Sequence, residues 1–203
     1  MVRHEMGGTR QRSFFRTIDG AVAAGIVVIL AGLVVPAVRS FRLKSEEARA
    51  EADLIRIREA LVRFIKDVGT SPTRGRGGLD GELFRLVGPG LIPDGAYYRP
   101  DEHQGLLADH LVRNRPCGAA SPGYDRWLGP YLEGLSADPW GFAYVVVAYP
   151  LSRDDDRDAV IVSAGRNGTM DGNYASVRDP VPAGDDLIEV VVAPAAARAA
   201  RPR

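Results

Sequence analysis

The chain has one cysteine, Cys117, among 203 residues, which excludes an internal disulfide framework and a zinc site built from its own thiolates. Its 26 basic side chains are matched by 26 acidic ones, so no polyanionic partner such as nucleic acid is implied. Of its 3 histidines, His103 and His110 fall nearly on one face of a helical pattern. No third ligand accompanies them, and packing or surface roles are the reading they support. The sequence lacks Gly-x-Ser-x-Gly, a Ser/His/Asp arrangement and a strong metal-ligand cluster, so no enzyme is indicated. The Gly- and Arg-containing stretch Thr70 to Gly78 has no Gly-Lys-Ser/Thr ending and follows a helix, which removes the nucleotide-cradle reading.

What is present in force is a rod. Gly20 to Val38 carries no charge over about nineteen residues, roughly 28 Å of helix against a hydrocarbon layer of ~30 Å, enough for one membrane span. Its helix breaker, Pro36, sits near the end, where it bends the rod without severing it. Beyond it, Leu54, Ile57, Leu61, Phe64 and Val68 recur at steps of three and four among charged positions, an amphipathic helix that Gly69 and Ser71-Pro72 stop. Arg3, Arg10, Arg12 and Arg16 against Glu5 favour a cytoplasmic start. Asp19 lies at the mouth of the apolar run, where a carboxylate either snorkels to the interface or meets a specific cation.

The residues Phe15, Ile18, Asp19, the Ile/Val/Ala/Leu run and Pro36 resemble the type IV pilin N-terminus. In that family a phenylalanine follows the prepilin peptidase cut, a glutamate stands four residues later, and a proline closes the transmembrane half. Counted from Phe15, Asp19 and Pro36 fall in those registers. The chain departs from the pattern by placing Phe14 where a glycine normally precedes the cut and Asp19 where the glutamate stands. A cut between Ser13 and Phe14 is the alternative register, so Ser13, Phe14 and Phe15 together are the processing candidates. The resemblance implies that Asp19 neutralises the new, methylated amino terminus of a neighbouring subunit.

The downstream part reads as a globular unit with short elements. Asp80 caps a short helix through Leu83, Phe84, Leu86 and Val87, ended by Gly88-Pro89-Gly90, and a second short helix runs from about Gln104 to Asn114. Gly129-Pro130-Tyr131-Leu132 precedes Asp138-Pro139-Trp140-Gly141, a turn feeding an apolar strand from Ala143 to Tyr149. Pro139 sets the bend, Gly141 supplies backbone freedom, and Trp140 is a large apolar anchor. The four aspartates of Arg153 to Asp158 form a solvated hairpin tip before the strand Ala159 to Ser163. An irregular loop of about twenty residues then leads to the strand Leu187 to Val192, and such a loop needs something to hold it.

The pair Gly-Pro-Tyr-Leu and Asp-Pro-Trp-Gly-x-x-Tyr is similar to the major pseudopilins of type II secretion systems. That resemblance implies a structural calcium within the long loop, held by Ser163, Asn167, Asp185 and Asp186, with Asn167 replacing an aspartate and thereby removing a charge. It implies an α+β pilin fold, with a long helix lying across an antiparallel sheet of about three strands and extra short helices between. The expected organisation is a leader (1–14), a transmembrane half-helix (15–38), an amphipathic half (39–68), a periplasmic globular domain (69–192) and a tail (193–203). The implied life is that of a single-pass inner-membrane protein that assembles into a helical filament with other pseudopilins. Prepilin peptidase, an inner-membrane assembly platform and the lipid bilayer are its implied partners. A minor pilin or pseudopilin, and an anchored periplasmic binding module that does not assemble, are the alternative readings.

Overall fold

The computed structural model describes residues 10–72, 85–96, 104–116, 122–148, 159–174 and 180–191, and within the first helix the side chains of residues 10–31 and 33 fall outside that description. Two compact units divide the chain, Met1–Ser45 and Glu46–Arg203. The described backbone of the first unit is helical. Helix α1, Arg10–Val68, runs 59 residues and continues into the second unit, with Pro36 inside it. It begins ahead of Phe15, so the last residues of the expected leader are helical too. Gly69, at φ +77°, donates its N–H to Ile65 O at 2.9 Å and closes the helix with the left-handed backbone that glycine adopts most readily.

In the second unit the expected stripe is the buried one. Leu54, Ile57, Leu61 and Phe64 are buried and Val68 is packed beside them, joined by Ala60 and Ile65. They form one core with Leu86, Leu107, Leu111, Tyr124, Tyr131, Tyr144, Val146 and Ile161. Phe64 stands edge-on to Tyr124 and Tyr131, with ring centroids 5.0 and 5.6 Å away, the geometry in which ring edge meets ring face.

Among the described residues the sheet has five strands and is mixed, which corrects the expectation of about three antiparallel ones. In chain order they are β1 (Arg85–Val87), β2 (Gln104–Leu106), β3 (Val145–Val147), β4 (Ala159–Ser163) and β5 (Leu187–Val191), arranged β2-β1-β3-β4-β5. Strands β1 and β2 are parallel, and every other pairing is antiparallel. The expected helix through Leu86 and Val87 is therefore strand β1. Leu86 pairs with Val146, and a three-residue strand is too short to show a period of two. The expected helix from Gln104 is a strand followed by a single turn and a half, α2 (Leu107–Leu111). Its chain turns away at Asn114, φ +49°. There the side-chain oxygen accepts the Tyr124 N–H at 2.7 Å, a bond to a segment ten residues on, at a residue type that visits this conformation more readily than most.

Strand β3 and β4 up to Val162 are apolar because both sheet faces are covered. Tyr144, Val146, Ala159 and Ile161 face the helix, whereas Val145, Val147, Val160 and Val162 join Ala96, Ala164, Met170 and Tyr174 in a second cluster on the other face. Among the described residues no helix is long and apolar enough to cross a membrane; the apolar run 20–38 lies largely on positions whose side chains are outside the description. Also outside it are His103, Cys117, the hairpin tip 153–158 and the tail 193–203.

Candidate functional site

Two constellations carry the residues singled out by sequence. The first fastens the turn before β3 to helix α1. Asp138 is buried, and its Oδ1 accepts the N–H groups of Trp140 and Phe142 at 3.0 and 2.8 Å. Its Oδ2 accepts the Ser163 hydroxyl at 2.7 Å. An aspartate whose carboxylate accepts the amides two and four residues on closes the turn with its own side chain. Gly141, at φ +94°, has open space around it, so backbone conformation rather than crowding selects glycine there.

From that turn two aromatic side chains reach back to the helix. Trp140 is half-buried and donates its indole N–H to Glu46 Oε2 at 3.2 Å. The buried Tyr144 donates its hydroxyl to Asp53 Oδ2 at 3.3 Å. Burial, then the charge of Asp53, push the Tyr144 phenol well above its ordinary value, so it stays a donor at any physiological pH. Trp140, expected as an apolar anchor, belongs to neither core cluster and meets the helix through its polar edge. The Gly-Pro-Tyr-Leu segment supports the same core: the Gly129-Pro130 peptide is cis, Tyr131 and Leu132 are buried, and Tyr131 N–H donates to Leu111 O at 2.8 Å.

The second constellation is the long loop between β4 and β5. Asp185 Oδ2 accepts the N–H groups of Arg166 and Asn167 at 2.8 and 3.0 Å. Asn167 Oδ1 accepts the Thr169 N–H at 2.7 Å, while its Nδ2 donates to Asp171 Oδ2 at 3.1 Å. Asp186, 2% exposed, accepts at Oδ2 the N–H groups of Asp171 and Gly172 and the Tyr174 hydroxyl, at 2.8, 3.1 and 2.7 Å. Burial raises its carboxyl above the ordinary range, and the three donors act against that rise.

The structure brings Asn167, Asp185 and Asp186 into one loop, adds Asp171 and Tyr174, and leaves Ser163 out. Side chains along a strand alternate. Ser163 shares the parity of Ile161, and its hydroxyl meets Asp138, whereas Tyr174 packs with Val160 and Val162 on the opposite face. A resident calcium would need six to eight converging oxygens. Here one oxygen of each carboxylate, Oδ2 of Asp171, Asp185 and Asp186, already receives N–H or O–H donors, and among the described residues no three His, Cys, Asp or Glu side chains are placed to hold a metal ion. One feature favours a cation, the buried Asp186 Oδ1, which has no hydrogen-bond partner. One oxygen does not make the donor set, and the described residues of the loop, as arranged, do not fit a calcium ion.

The roles of Asp138, Asp171 and Tyr174 were signalled only by Asp-Pro-x-Gly and Asp-Gly turn chemistry. Their long-range partners carry no sequence mark. His110 is a core residue: it is fully buried and its Nδ1 lies 2.9 Å from the Tyr124 hydroxyl. Ser13, Phe14, Phe15 and Asp19 lie on helix α1, with side chains outside the description. Further along the first unit, Val34, Val35, Val38 and Phe41 are exposed.

Over 139 residues the chain is 28% identical to the type II secretion system core protein G of Aeromonas hydrophila, a match covering 68% of this chain and 75% of that protein. It supports a pseudopilin-like relationship. No protein-family model matches the chain, and no solved structure matches it. The long N-terminal helix and the α+β unit are consistent with a pilin-like architecture.

Proposed function

We propose that this chain is a structural subunit of a periplasmic pseudopilus that serves protein export through a type II secretion system. The observation that carries the reading is the likeness to core protein G over two thirds of the chain. The exposed apolar side chains Val34, Val35, Val38 and Phe41 add a physical reason. Apolar surface repeated along a helix is covered either by lipid or by neighbouring copies, and a head-to-tail contact that does not close generates a filament. The apolar run anchors the subunit as a single pass in the inner membrane, with the globular unit in the periplasm. Asp19 pairs with the freed amino terminus of the adjacent subunit, a pairing that offsets the cost of holding a carboxylate in lipid.

Mass spectrometry of the membrane-extracted protein tests this. A mature chain beginning at Phe14 or Phe15 with a methylated amine is the expected result, and an intact Met1 would favour the anchored binding module suggested by Phe14. In parallel, Asp19→Lys should leave the globular unit folded and abolish crosslinked multimers in membranes containing the secretion partners. Multimers that persist would reduce Asp19 to an interfacial acid.

A further inference from the structure

We infer that the loop between β4 and β5 closes without a metal ion, its own N–H and O–H donors standing where the resemblance implies a calcium, with Asn167 as the residue that makes this possible. The inference is independent of whether the chain assembles.

A hard dication organises a loop by drawing the lone pairs of six to eight oxygens toward one point. This loop is organised the other way. Asp185 gathers the Arg166 and Asn167 amides, Asp186 gathers the Asp171 and Gly172 amides and the Tyr174 hydroxyl, and Asn167 gathers the Thr169 amide. The partial positive charges of successive amides turned toward a carboxylate form an anion-holding concavity, here filled by the chain's own aspartates. Backbone bonds from outside the loop add to it. Asp94 N–H donates to Gly168 O at 2.9 Å, and Met170 N–H donates to Asp94 O at 2.8 Å.

Position 167 explains why asparagine is the compatible residue. Its carbonyl oxygen accepts from Thr169 and its amide nitrogen donates to Asp171 Oδ2. An aspartate keeps the first bond and replaces the second with two carboxylates that would stand 3.1 Å apart, a like-charge contact relieved either by a bound cation or by loss of this exposed arrangement to water. Gly184 lies close beside Asp171, and a Cβ there would strike its carboxylate, so this arrangement also requires glycine at 184. Removing a charge at 167 therefore does more than weaken a cation site. It supplies the donor that a metal-free loop requires.

The test uses the full-length protein in detergent. Thermal unfolding is followed in calcium chloride and in excess chelator, alongside calorimetric titration with calcium chloride alone. The wild-type protein should melt at the same temperature in both and give no saturable binding heat. A melting temperature that rises with calcium, or a saturable heat, would overturn the inference. The second arm is Asn167→Asp, measured in chelator, where the melting temperature should fall by roughly 2–4 °C relative to wild type. An unchanged or higher value would show that the Asn167 amide is not what holds Asp171, and would overturn the proposal by its other leg.

Discussion

His110 shows how much one side chain's protonation can matter. Burial pushes its pKa down to about 4 from 6.5, with Asp109 opposing the shift, and its Nε2 is buried without a hydrogen-bond partner. A histidine whose folded pKa lies below its unfolded value contributes stability that is complete above about pH 6.5 and is lost as pH falls toward 4. The loss is on the order of 3 kcal/mol. Thermal unfolding at pH 7 and pH 4.5 should show a fall in wild type that is clearly smaller in His110→Gln. Asp186 works in the opposite sense, since its raised carboxyl is relieved by protonation at low pH. Comparing the variant with wild type isolates the histidine. A fall of equal size in both proteins would remove it from the account.

At the level of elements, the turn before β3 is held by one carboxylate with three donors, two on its own turn and one on strand β4. Asp138→Ala leaves those donors without an acceptor and should cost about 3 kcal/mol, whereas Asp138→Asn, which retains one acceptor oxygen, should cost about 1 kcal/mol. Denaturant midpoints with unchanged slopes check both values. By contrast the Arg58–Glu189 pair at 3.2 Å, 39% and 27% exposed, ties helix α1 to β5 where water screens it. It contributes little. The sequence displayed the turn because Asp-Pro-x-Gly is local chemistry, and it displayed β3 and β4 because runs buried on both faces are apolar at nearly every position. It hid β1 and β2, since three residues carry no period and their pairing depends on a strand about sixty residues away for β1.

For the whole molecule, the question is what covers the helix of the first unit. Val35 is 48% exposed and Phe41 75% exposed, so glutamate at both positions costs the monomer no core contact. Under the proposed function the double variant Val35→Glu, Phe41→Glu should keep the wild-type melting temperature and lose crosslinked multimers. Retained multimers would place the assembly contact elsewhere. Asp19 and the processing candidates rest on family registers alone, while the exposure of Val34, Val35, Val38 and Phe41 emerged only with the fold.

Taken alone, the sequence determined the rod, its amphipathic continuation, the stop at Gly69 and the motif turns, because each rests on spacing or on the backbone preferences of a few adjacent residues. Tertiary structure decided which polar side chains meet. Strand parity carried Ser163 to Asp138 on one sheet face while Asp186 found Tyr174 by the other. Such partners are chosen by the folding of distant segments onto a common sheet, and no local pattern records that choice.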